Sequence, residues 1–244
     1  MTAGEQAHAS LWREPEHAQE PRRWPALQLR DVFKIYRSGP VETVALRGLE
    51  VRVEREEFVA VLGPSGCGKS TMLALAAALD EPSAGDVHAG ERSLLRLDEV
   101  ELAHYRAREV ALVFQSENLW PALSARENVA LSLRLSGSAD PLGEAQEALA
   151  AFGLRERGSH TAGALSGGEQ QRVAIAAAYA KQAPLVLADE PTGELDATNE
   201  RRVLEALADL RERRGSSVVL VTHSQEVAAA ADRVIEMRDG RALA

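Results

Sequence analysis

The chain of 244 residues has a single cysteine, Cys67, so no intrachain disulfide can form and a reducing compartment is the expected setting. No apolar run approaches the ~20 residues a membrane-spanning helix requires, and the first residues carry no apolar core of a secretory signal. Basic charge is scarce as well. Against 28 Lys and Arg stand 37 Asp and Glu, a formal net charge of -9, which argues against the chain as a whole gripping nucleic acid. What remains is a globular composition, 45% apolar and 27% charged, long enough for one sizeable core with a small subdomain attached. A soluble, cytoplasmic protein is expected.

The stretch Gly63-Pro64-Ser65-Gly66-Cys67-Gly68-Lys69-Ser70-Thr71 fits G-x-x-x-x-G-K-[ST]. Its context agrees: 58–62 is a short apolar run suited to a buried strand, and 72–79 carries helix formers. Strand, Gly-rich turn and helix start aim backbone N–H groups and a positive helix end at one anionic ligand. Lys69 is expected against the β- and γ-phosphates of a nucleotide, with the Ser70 hydroxyl a Mg²⁺ ligand. Cys67 reads as a variable position of that loop.

Residues 1 to about 25 are rich in Glu, Gln, Ala, Arg and Pro without apolar periodicity, and are expected to form a flexible extension. From Leu27 the pattern becomes strand-like, so two or three antiparallel strands should precede the phosphate loop. Tyr36 lies there; its ring either stacks on a purine base or packs at a strand end. Residues 81–85 read as a turn cluster, 98–108 as a helix and 110–114 as a strand. Gln115 follows that strand, where ligands of open α/β sheets bind, and could reach Mg²⁺ or an attacking water. Ser124 and Glu127 form a capping box for a helix to about 135, and 141–152 is a second amphipathic helix. The segment of about 116–165 thus reads as a helical insertion. Trp120, beside Pro121, is expected either at a partner surface or packed within that insertion.

Leu165-Ser166-Gly167-Gly168-Glu169-Gln170 opens another helix. Ser166 and Glu169 suffice for a capping box, yet Gly167 and Gly168 are poor helix-start residues unless something approaches the backbone closely. A helix N-terminus of this kind is a second anion site, for which a single phosphate loop has no second triphosphate. The apolar run 185–188 then presents Asp189 and Glu190 together at a strand end. Asp189 suits contact with Mg²⁺, and Glu190 suits a general base that orients and polarises water. Asp196 reads as a helix cap. His223 ends one more buried strand, within reach of a γ-phosphate or of Glu190.

In this order the segments resemble the ATP-binding subunits of ABC transporters, over nearly all of the chain from about residue 27. Residues 63–71 resemble Walker A, Gln115 the Q-loop glutamine, 165–170 the signature motif, and 185–190 Walker B with the catalytic glutamate. Glu194-Leu195-Asp196 resembles the D-loop, His223 the switch histidine, and Tyr36 the adenine-stacking aromatic. Residues 78–85, 126–129 and 188–193 are similar to the lipoprotein-releasing, macrolide-export and cell-division group. Three departures stand out: Glu56-Glu57 for the usual Gly-Glu, Glu194 for Asn or Ala, and Ala177 for a frequent Arg. The resemblance implies an α/β P-loop NTPase core of the RecA-like type over 26–244, with an antiparallel β subdomain and an inserted helical one. It also implies a homodimer or heterodimer facing head to tail around two MgATP. Ser166, Gly167, Gly168, Gln170 and Asp196 of one subunit would then complete the site of the other. Membrane-spanning permease subunits are the implied partners, which would make the chain peripheral on the inner face of the membrane. A soluble ABC ATPase acting on nucleic acid or the ribosome is the alternative, disfavoured by the acidic balance and the absence of long coiled coils, zinc modules or a second cassette. A cell-division-type regulator without transport is the other alternative.

Overall fold

The computed structural model describes residues 24–39 and 41–243; most of the expected N-terminal extension, with Trp12, lies outside the described residues. The apolar alternation after Leu27 gives two long antiparallel strands, β1 (Leu27–Ser38) and β2 (Val41–Val53), paired from Leu27↔Val53 to Tyr36↔Thr43. Leu27, Leu29, Leu46, Leu49, Val51 and Val53 point into the core. Two strands precede the phosphate loop, within the expected range. The rest of this sheet comes from after it: β4 (Ala84–Ala89) and β5 (Arg92–Ser93) complete the order β2-β1-β4-β5. Residues 84 and 85, expected in a turn, therefore begin a strand. Gly85 is required there because a Cβ would stand 2.2 Å from the carbonyl oxygen of Asp31 on β1.

The second sheet has the order β10-β9-β3-β8-β7-β6. Its parallel strands are β3 (Phe58–Leu62), β6 (Val110–Val113), β7 (Leu185–Asp189), β8 (Ser217–Thr222) and β9 (Arg233–Arg238), with the short β10 (Arg241–Ala242) antiparallel at the edge. These strands read as unbroken apolar runs because both faces are covered. On one face Val59, Val61, Leu187, Val219 and Val221 share a core with the antiparallel sheet, with Tyr105 of α2 (Glu99–Arg108) and with α1 (Lys69–Ala76). On the other, Phe58, Val186, Val218 and Leu220 pack on α5 (Gly167–Lys181), α6 (Ala197–Arg214) and the short α7 (Gln225–Ala228). Strand β6 stops one residue short of the expected end because the N–H of Phe114 leaves the ladder to donate to Asn118 Oδ1.

A third apolar cluster lies among helices alone. It joins α3 (Ala125–Ser136), α4 (Pro141–Ala151) and α5 through Val129, Leu133, Leu149, Leu154, Leu165 and Val173. Helix α5 thus belongs to two layers, with Val173 and Ala176 toward the helical cluster and Ile175 and Ala178 toward the sheet. Both expected capping boxes are made, Ser124 with Glu127 and Ser166 with Glu169.

In the turn from β2 to β3, Glu56 adopts φ 60°, a conformation costly for a residue with a Cβ. Its N–H donates to Ser217 Oγ and its carbonyl accepts from Arg211 Nε, contacts a glycine would keep. We expect Glu56→Gly to stabilise the protein by up to about 1 kcal/mol, the left-handed strain relieved less the extra chain entropy of glycine. Urea unfolding checks this; an unchanged or lower midpoint would show that the turn carries no such strain.

Candidate functional site

Strands β3, β8 and β7 are neighbours, so the residues following them meet at one edge of the sheet, where open α/β sheets bind ligands. The phosphate loop after β3 fits tightly between two walls. A Cβ on Gly63 would lie 2.2 Å from the Met237 carbonyl oxygen, and one on Gly68, at φ 104°, would lie 2.6 Å from that of Ala45. The N–H of Gly240 donates to Cys67 O and closes the loop from the third side. Lys69 is only 6% exposed; its ammonium donates to the carbonyls of Gly63 (2.8 Å) and Pro64 (3.1 Å) and stands 3.8 Å from Glu190 Oε1.

Asp189 and Glu190 follow on β7. Burial pushes the Asp189 carboxyl above its ordinary pKa, with the Glu190 charge adding to the effect, while a hydrogen bond from Ser70 and the Lys69 charge oppose it. Glu190 has φ 45°, and its N–H donates to Val221 O, which turns the backbone out of the strand and its carboxylate toward the cavity. His223, after β8, puts Nδ1 3.0 Å from Glu190 Oε1. Glu190 is therefore held between a buried ammonium and an imidazole. Before it opens a cavity of about 740 Å³ lined by Thr43, Ala45, Ser65, Ser70, Thr71 and Gln115 among others. Gln115 reaches this cavity from the end of β6, its side-chain amide directed at Glu194 Oε1 at 3.4 Å.

Other expected site residues stand apart from the cavity. Tyr36 does not line it: the phenol donates to Asp80 Oδ2 at 3.0 Å and the Lys34 ammonium lies 4.9 Å from the ring centroid. Its cross-strand partner Thr43 lines the cavity instead. The start of α5 is likewise separate. Ser166 caps it, and Glu169 accepts from the Ser166 N–H and from Arg157, contacts that hold its pKa below the usual range. Gln170 donates to Leu165 O. A Cβ on Gly168 would meet the Asn199 side chain at 2.6 Å, so close packing on α6 accounts for that glycine within one chain. Asp196 caps α6 through the N–H groups of Thr198 and Asn199, as its capping reading expected.

Two residues beyond the sequence-predicted set stand around the site. Gln171, 3% exposed, donates to the carbonyls of Phe114 and Gln115, and Asn118 bonds both Gln171 and Phe114. The signal was present in the periodicity: Gln171 sits three and four residues from Gly168, Ala174 and Ile175, a polar side chain on the buried stripe of its helix.

The family model described as "ABC transporter" matches residues 46–193, which carry the phosphate loop, Gln115, the α5 start and the Asp189–Glu190 pair. The chain is 40% identical over 220 residues to the lipoprotein-releasing system ATP-binding protein LolD of Geobacter metallireducens, covering 89% of this chain and 98% of that protein. It is 41% identical over 218 residues to the macrolide export ATP-binding/permease protein MacB of Marinobacter nauticus, of which it spans about a third of the length (34%). Among solved structures, the ATP-binding cassette MJ0796, in a dimeric post-hydrolysis state bound to ADP and Pi, superposes with a TM-score of 0.83 at 38% identity, covering 89% of this chain and 97% of that one. The chain belongs to the ABC transporter family and has the fold of its ATP-binding cassettes.

Proposed function

We propose that the chain is the ATP-hydrolysing subunit of an ABC transporter, paired head to tail with a second cassette and driving membrane-spanning permease subunits from the cytoplasmic face. The observation that carries this reading is Glu190, a carboxylate at the mouth of the phosphate loop, flanked by Lys69 and His223. The similarity to LolD and MacB favours a lipoprotein-, peptide- or drug-type export machine.

Lys69 binds and orients the triphosphate, its ammonium moving from the Gly63 and Pro64 carbonyls to phosphate oxygens. The Asp189 carboxyl and the Ser70 hydroxyl are hard oxygen donors that line one cavity, and burial disfavours the Asp189 anion, a cost that a cation would offset. These two groups, with Gln115, fit a Mg²⁺ ion, which would supply charge neutralisation on the phosphates. Glu190 holds the attacking water and accepts or directs its proton, and His223 keeps the carboxylate in place. The start of α5, remote from the cavity of its own chain, would close the phosphate loop of a second chain through Ser166, Gly167, Gly168 and Gln170. Asp196 would lie at that interface.

Lys69→Ala is expected to weaken ATP binding about 10- to 100-fold and to abolish turnover, since a charge-assisted contact is lost. Equilibrium ATP binding and phosphate release check this, and wild-type turnover in the variant would sink the site.

Glu190→Gln should lower turnover by about 10²–10⁴-fold while ATP still binds. With hydrolysis stalled, ATP stabilises the closed pair by mass action, so light scattering should report conversion of monomer to dimer on adding MgATP. Adding Ser166→Arg should abolish that dimer. A Glu190→Gln protein that binds ATP tightly yet stays monomeric, alone and with its permease, counts against the sandwich.

Trp120 is 64% exposed, and its N–H donates to Asn128 Oδ1, which anchors the main chain of the loop that displays it. Aromatics so displayed are typical of interface anchors. Trp120→Ala should impair assembly with the membrane subunits and spare basal ATPase; intact assembly would remove this loop from the docking surface.

A further inference from the structure

Gln171 is one of the buried polar groups among the described residues that the hydrolytic chemistry above leaves unused, and the one bonded to the main chain of Gln115. It lies on α5 one turn beyond Gly168, yet its side chain serves a different element. Nε2 donates to Phe114 O at 2.8 Å and also to Gln115 O, and Oε1 accepts from Asn118 Nδ2 at 2.9 Å. Only this orientation of the amide satisfies two carbonyls and one amide donor at once, so its three bonds define its rotamer. Asn118 in turn accepts from the Phe114 N–H and donates to the Phe114 carbonyl, both at 2.7 Å. The main chain that follows β6, with no regular secondary structure of its own, is thus held by two side-chain amides. It carries Gln115 into the cavity beside Glu190.

For helix packing alone a leucine would serve at position 171, because a buried amide is costly unless all its bonds are made. The bonds here go to the main chain of the residue that enters the site. We propose that Gln171 is a positioning residue for hydrolysis: it ties the first turns of α5 to the main chain of Gln115, so that the helix start offered to a second chain and the placement of Gln115 shift together. This rests on the ATPase reading above, and it adds a residue and a route to it.

The test uses the full chain with Gln171→Met, Gln171→Glu and Asn118→Leu beside the wild type. Turnover, KM, equilibrium ATP binding and amide hydrogen exchange across 114–118 are measured on each. Gln171→Met should lower kcat about 10- to 100-fold, the usual effect of losing a partner that orients an active-site group, with ATP affinity nearly unchanged. Exchange across 114–118 should rise, while the phosphate-loop helix keeps wild-type protection. Gln171→Glu should regain turnover relative to wild type as pH falls, because a neutral carboxyl can again donate to one carbonyl. If Gln171→Met does not fold, Asn118→Leu, at a partly exposed position, is expected to show the same split more mildly. Wild-type kcat in a folded variant overturns the proposal, as does lowered kcat with unchanged exchange at 114–118. A wild-type chain without ATPase activity would overturn the enzymatic reading instead, and the exchange comparison would still decide whether Gln171 holds the Gln115 segment.

Discussion

The phosphate loop is built against main-chain carbonyls, those of Met237 on β9 and Ala45 on β2, which occupy the space that side chains at 63 and 68 would need. That constraint links parts of the chain far apart in sequence. The turn after β9 completes it, since Gly240 accepts from the Arg47 N–H and donates to Cys67 O. The antiparallel sheet is therefore more than a lid on the core: its second strand is one wall of the loop, and Thr43 and Ala45 of that strand line the cavity. Glycine is demanded at 63 and 68 by these walls as much as by the ligand.

Around the loop, strand order decides which charges meet. Lys69, Glu190 and His223 lie beyond the ends of three adjacent strands of the sheet, β3, β7 and β8, and converge because β8 lies between the other two. Each tempers its neighbours: Lys69 offsets the paired acids, and His223 holds a carboxylate whose backbone is bent out of the strand at φ 45°. Such a conformation persists only where the surroundings over-determine it, and here the Val221 and Gly193 main-chain bonds do so. Helix α5 adds a second level of organisation. It packs one side on the sheet and the other on α3 and α4, and its Gln171 reaches the segment entering the site.

Local chemistry was legible along the sequence. A Gly-rich turn between an apolar run and helix formers, Ser-x-x-Glu caps before helices, and an acid pair after a fully apolar strand each carry their meaning within a few residues. The same held for Asp196, whose carboxylate caps its own helix, and for His223, which reaches Glu190. In sequence Pro82 and Gly85 signal a turn over 84 and 85, whereas Gly85 answers to the Asp31 carbonyl across the sheet. Tyr36 offered an aromatic face in sequence, but its hydroxyl partner, Asp80, lies 44 residues away and no local pattern pointed to it.

By itself the sequence determined most of the helices and parallel strands, several of the caps and the chemical type of the strand-end residues, because these depend on neighbours within one turn or one strand. Only the tertiary structure decided which strand ends stand side by side, how closely the loop is walled, and that a buried glutamine of α5 bonds the main chain after β6. Those outcomes depend on strand order and on contacts between residues more than 50 positions apart, such as Gln171 with Gln115. No local pattern encodes a distance across a sheet; packing sets it once all the layers are in place.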